Sequence, residues 1–237
     1  MDEPYFAIYD DSFLEILGAQ PSIELAIEKD WPFAHEASAF VPAQDAVYVT
    51  SNRFKPSGFS EQTIKISRLS RGQDGSWRAE EVSTDVAMGN GGINYKSHIL
   101  FCAQGTTTEA GGLVLMDPRE PAYRTETMID SYHGRLFNSV NDVVLHTDGG
   151  IWFTDPIYGY EQGFRNKPQL PCQVYRFDPR SGDVRVVADG FGRPNGLCFS
   201  PDEQTMYITD TDWIHGDGTI DPTRAGTMYV ALPNACL

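Results

Sequence analysis

A segment made of two short apolar strands around a polar turn occurs four times along this chain, and that recurrence constrains the fold more than any other feature. The four segments are "ASAFVPAQDAVYVTSN" (37–52), "GGINYKSHILFCAQG" (91–105), "NDVVLHTDGGIWFTD" (141–155) and "NGLCFSPDEQTMYITD" (195–210). Thr50, Ala103, Thr154 and Thr209 hold matching places in the second strand and lie 53, 51 and 55 residues apart. A period near fifty residues, written in short strands, is the signature of propeller blades. Each hairpin is followed by a third strand candidate, at 63–70, 111–118, 172–179 and 226–233, and three of them by a fourth, at 77–84, 123–130 and 183–190. No long helical pattern interrupts them, and 22 glycines with 15 prolines mark the turns. The expected class is all-β, a β-propeller rather than a sandwich, with about four blades in one incomplete domain over residues 1–237. Ahead of the first repeat, Ile23, Leu25 and Ile27 alternate with Glu24, Ala26 and Glu28, which predicts a half-buried N-terminal strand.

Charge narrows the partners. With 18 basic against 33 acidic side chains the net charge is −15, which disfavours nucleic acid and anionic membrane surfaces. The 41% apolar content belongs to a globular chain rather than a disordered one. Cys102, Cys172, Cys198 and Cys236 show no C-x-x-C spacing, and Cys102 and Cys198 sit in apolar runs that suit reduced thiols. The N-terminus lacks a basic region followed by an apolar stretch, and no run approaches the length of a membrane helix, so the expected location is cytoplasmic by default.

In a propeller the first strand of each blade lines the central channel, so residues at blade entrances converge although they are far apart in sequence. Glu36 stands at the first entrance, Asn141 at the third and Asn195 at the fourth, with Asn90 or Asn94 at the second. One carboxylate and several amide oxygens around one axis form a hard-cation site, because Ca²⁺ takes roughly six to eight oxygen ligands and accepts amide carbonyls. Taken singly, each residue has an ordinary explanation: Asn195-Gly196 is a turn pair, and short polar side chains cap strand entrances. Glu36 resists that explanation most, since a carboxylate among apolar neighbours needs a partner. Asp155 and Asp210, which end "WFTD" and "YITD", fit hydrogen bonding to nearby backbone at least as well as a direct role. The five histidines show no zinc spacing, and nucleophile-elbow, P-loop and dinucleotide-binding signatures are missing.

The stretches "FNSVNDVVLHTDGGIWFTDPIYG", "GRPNGLCFSPDEQTMYITDT", "ILFCAQG" and "GLVLMD" resemble the senescence marker protein/gluconolactonase (regucalcin-like) family, and within it the fungal and bacterial lactonase-like branch. The resemblance runs from about Glu36 to Asp212. It implies a six-bladed propeller with one divalent cation, usually calcium, in the axial channel, and hydrolysis of lactones or related esters. Matched position by position, the family's metal ligands fall on Glu36, Asn141 and Asn195, and Arg135 and Gln104 become candidates for contact with substrate. The usual Glu-Gly-Pro or Glu-Ala-Pro reads "EAS" here, and Ser-Pro-Asn-Asp reads "SVND". The remaining ligand of the family, a Pro-Asp-Gly aspartate that also serves as general base, has no match after Asn195, so the expected base lies beyond Leu237.

Two readings follow. One is a calcium-dependent lactonase impaired by truncation, whether through a gene-model error, a splice form or fragmentation. The other is a non-catalytic propeller remnant that binds metal or another protein. A six-bladed closure needs on the order of 70 to 100 further residues, and the open propeller edge is expected to favour self-association.

Overall fold

The structure, a computed structural model, describes residues 6–18, 20–119 and 122–231. It separates into two units, Met1–Asp30 and Trp31–Leu237. The first holds one short helix, α1 (Ser12–Leu17), which buries none of its residues. Residues 23–27 form no β-ladder, contrary to the strand expected there, and Ile23 and Leu25 are 59% and 77% exposed. Alternation gives a segment two faces, but a strand also needs an edge to take up its N–H and C=O groups.

The second unit is a series of four antiparallel sheets in the order the repeats predict. Sheet one contains β1 (Glu36–Val41), β2 (Ala46–Thr50), β3 (Ile66–Arg71) and β4 (Trp77–Val82). Sheet two contains β5 (Gly89–Tyr95), β6 (His98–Ala103), β7 (Gly112–Met116) and β8 (Thr125–Ile129). A two-stranded hairpin, β9 (Ser131–Tyr132) with β10 (Arg135–Leu136), precedes sheet three: β11 (Val143–Leu145), β12 (Ile151–Asp155), β13 (Gln173–Asp178) and β14 (Asp183–Ala188). The β12–β13 connection carries a four-residue helix, α2 (Tyr158–Glu161). Sheet four has three strands among the described residues: β15 (Pro194–Phe199), β16 (Met206–Asp210) and β17 (Thr227–Ala231). These are four blades of a propeller, each meandering outward from its first strand.

Blades pack face against face, which explains apolar runs without alternation. In β6 every residue from Ile99 to Ala103 is buried. Ile99 and Phe101 join Tyr48 and Ile66 of blade one, whereas Leu100 and Cys102 join Phe153 and Tyr175 of blade three. Likewise Phe153 stacks on Tyr175 at 5.4 Å, while its neighbour Trp152 turns to Leu197, Met206 and Ile208 of blade four. A strand covered on both sides reads as a continuous apolar run because neither face is left for water.

Candidate metal centre

Each entrance is bent in the same way. The pairing of β1 with β2 slips between Glu36 and Ala39, that of β5 with β6 between Gly89 and Gly92, and that of β15 with β16 between Pro194 and Leu197. In blade three the backbone N–H of Asn141 donates to Thr154 C=O at 3.0 Å, and the Thr154 N–H donates to Asp142 C=O at 3.0 Å, giving an equivalent irregularity. A bulge re-aims the side chains beside it, and here it does so at the entrance of each blade's first strand.

Neighbouring entrances are stitched together. Thr50 Oγ1 donates to the Asn90 carbonyl at 2.9 Å, the Gly91 N–H donates to the Asn141 carbonyl at 2.9 Å, and Thr154 Oγ1 donates to the Asn195 carbonyl at 2.7 Å. Where repeat two has Ala103 in place of threonine, a backbone donor makes the link instead. Gly91 has no room for a side chain, because a Cβ there would lie 2.4 Å from the Asn141 carbonyl oxygen. The open choice in repeat two also resolves: Asn90 lies at the entrance with Oδ1 accepting from the Gly91 N–H at 3.0 Å, while Asn94 donates to the Phe40 carbonyl.

Glu36 and Asp142 come from blades one and three, yet the charge of Asp142 acts on Glu36. The Glu36 carboxyl is pushed above its ordinary range by burial and then by the Asp142 charge. Burial also raises Asp142, against two backbone donors: Val143 N–H to Oδ1 at 2.8 Å and Leu197 N–H to Oδ2 at 2.9 Å. Cys102, fully buried, has its thiol raised well above the usual value by burial and by Asp142, Glu36 and Asp155 in that order. Among the described residues neither Glu36 nor Asp142 has an ion-pair partner.

Asn141 is buried and lies beside Asp142, and its side chain makes no hydrogen bond among the described residues. Asn195 is half-buried and donates from Nδ2 to the Tyr158 hydroxyl at 3.3 Å, which leaves Oδ1 unengaged. The two substrate-contact candidates are placed differently. Gln104 is buried with its amide donated to the Met88 carbonyl at 3.3 Å, and Arg135 is exposed on the β9–β10 hairpin. Asp155 and Asp210 take the backbone role: Asp155 accepts from the N–H groups of Asn138 and Ser139 at 2.9 and 2.8 Å, and Asp210 from those of Gly192 and Arg193 at 2.9 and 2.7 Å.

Among the described residues no three His, Cys, Asp or Glu side chains are grouped to hold a metal ion. The donor set at the entrances is of another kind, the Glu36 carboxylate under the charge of a second one, Asp142, with uncommitted amide oxygens. That set fits a hard divalent cation, which would relieve the repulsion and accept neutral oxygens. No helix among the described residues is long and apolar enough to cross a membrane.

Residues 24–213 match the family model described as SMP-30/gluconolactonase/LRE-like region. The chain belongs to this family. The member described here is 31% identical to the lactonohydrolase oryL of Aspergillus oryzae over 235 residues, covering 95% of this chain and 51% of that protein. It is 32% identical to a gluconolactonase of Zymomonas mobilis over 134 residues, covering 53% of this chain and 36% of that one. It therefore spans about half, or less, of the length of these relatives. A solved gluconolactonase from Xanthomonas campestris superposes with a TM-score of 0.60 at 25% identity, over 84% of this chain and 59% of that one.

Asp142 escaped the sequence reading as a charged neighbour of Glu36. Its signal was present in the S-x-N-D motif, where Asp142 directly follows Asn141. What the motif could not show is that Asp142 reaches across to blade four.

Proposed function

We propose that this chain is a lactonase-type hydrolase of lactones or related esters, with Ca²⁺ or another divalent cation held by Glu36, Asn141 and Asn195. The observation that carries the reading is the charge of Asp142 from blade three acting on Glu36 from blade one, two half-buried carboxylates without cationic partners among the described residues, together with two uncommitted amides. When bound, such a cation supplies a Lewis acid for the carbonyl under attack. Glu36 brings the anionic ligand, and the amide oxygens of Asn141 and Asn195 add neutral ones. Asp142, fixed by the Val143 and Leu197 N–H groups, keeps blades three and four in register around them. Arg135, exposed, is the more accessible of the two substrate-contact candidates, while Gln104 holds the Met88 carbonyl.

The Pro-Asp-Gly motif that carries the family's base aspartate does not follow Asn195 in this sequence. We therefore expect slow turnover from this polypeptide by itself. Hydrolysis of glucono-1,5-lactone and γ-butyrolactone, followed by acid release with calcium or with chelator, tests the reading together with calorimetric calcium titration. The expected result is weak, calcium-dependent turnover that disappears in Glu36→Gln. Calcium uptake without turnover assigns the alternative, a metal-binding module without catalysis. Neither uptake nor turnover overturns the proposal.

A further inference from the structure

The geometry points to Tyr158 as a positioning residue that decides which end of the Asn195 amide is presented at the blade entrances; this rests on the reading of Asn195 as a ligand. Asn195 Nδ2 donates to Tyr158 Oη at 3.3 Å, and Oη is in contact with Thr211 Oγ1. An amide nitrogen only donates. Tyr158 Oη is consequently the acceptor in that bond; either hydroxyl can donate in the contact with Thr211, and an Oη that gives its single proton to Thr211 Oγ1 keeps only acceptor capacity toward Asn195. The carbonyl oxygen of Asn195 is left on the opposite side of the amide from the phenol.

Without that relay, nothing in the shape of the side chain would choose. The terminal torsion of asparagine is broad and roughly two-fold, and its O and N ends are almost the same size. A turned amide would offer N–H groups to a cation and repel it. The backbone of Asn195 is fixed separately, by Thr154 Oγ1 on its carbonyl, so the end of the amide presented depends on the side-chain torsions.

Tyr158 is in turn held at both ends of α2. Ser139 Oγ accepts from the Gly159 N–H at 3.0 Å and donates to the Pro156 carbonyl at 2.8 Å. Glu161 is gripped by Arg193 Nε at 3.0 and 3.1 Å and by Nη2 at 2.5 Å, and Arg193 also bonds Asp212 at 2.8 Å. Between them Gly159 has no space for a Cβ, which would lie 2.4 Å from Arg165 Cγ. Burial, the largest influence on the phenol, raises its pKa and keeps it a neutral hydroxyl. A phenylalanine would fill the same volume, so the hydroxyl is what the relay requires.

Two measurements on the 237-residue chain test this. The first is hydrogen exchange of the Asn195 side-chain amide by NMR without metal, and the second is calcium affinity by calorimetry. Tyr158→Phe and Thr211→Val should each speed amide exchange and weaken calcium binding by about tenfold, the scale of losing a group that orients a ligand. Thr211→Ser keeps the hydroxyl and should restore both. Tyr158→Phe with wild-type exchange and wild-type affinity overturns the assignment. Absence of calcium uptake by the wild-type chain sinks the ligand reading instead, and the amide exchange still decides whether Tyr158 orients Asn195.

Discussion

At the scale of single residues, the first entrance carries a local backbone strain. Ala37 follows Glu36 in the bulge with φ of 61°, a left-handed conformation in which a Cβ crowds the following carbonyl. A glycine, one of the two residues the family motif carries at this place, has no such cost. Ala37→Gly is therefore expected to raise stability by about 1 kcal/mol, read as a higher denaturant midpoint with an unchanged slope. Asp155 carries a different tension. Burial pushes its carboxyl up to about 7, while the Asn138 and Ser139 N–H groups and the nearby Arg165 pull it down. Because the folded value lies above the unfolded one, this group's contribution to stability is complete below about pH 4 and is lost as pH rises to 7. Between pH 4.5 and 7.5 the loss should be about 3 kcal/mol. Denaturant unfolding of wild type and Asp155→Asn at both pH values isolates it, since asparagine does not titrate; equal pH dependence in the two proteins would remove Asp155 as the source.

At the scale of elements, the repeat made most of the architecture legible. The strand segments around Thr50, Ala103, Thr154 and Thr209 all become inner hairpins, and the aspartates after two of those threonines become backbone acceptors. What stayed hidden depends on partners distant in sequence. The Asp142 carboxylate is explained by Leu197, and the α2 helix by Ser139 and Arg193, none of which a local pattern names. Ile23 to Ile27 failed in the opposite direction, since period-two alternation was present and a partner edge was not. The bulges lay between these cases. Each entrance motif contains small or polar residues that tolerate a bulge, but only pairing across the hairpin reveals the extra residue.

At the scale of the four-blade unit, the faces of the first and last blades differ from those between. Phe40 is 46% exposed on blade one, and Met228 and Val230 are 63% and 62% exposed on blade four. In blade four, Cys198, Tyr207 and Val230 stand in one cross-strand row on the face opposite the Leu197 and Ile208 core. Blades stabilise one another by burying such rows, so the 237-residue chain should self-associate at micromolar concentration. Size-exclusion chromatography with light scattering checks this, and Val230→Lys should shift the species toward monomer; a monomer at all concentrations would show that these faces need no cover. Cys198 also turns that row into a chemical gauge. Cys102 is sealed in the core, and burial lifts the Cys172 thiol to about 12, whereas Cys198 is exposed. Among these three thiols, alkylation followed by peptide mass spectrometry should mark Cys198 first. Its labelling rate then counts how often the last face is bare: fast in a solitary chain, and slow wherever another blade, from any source, lies against it.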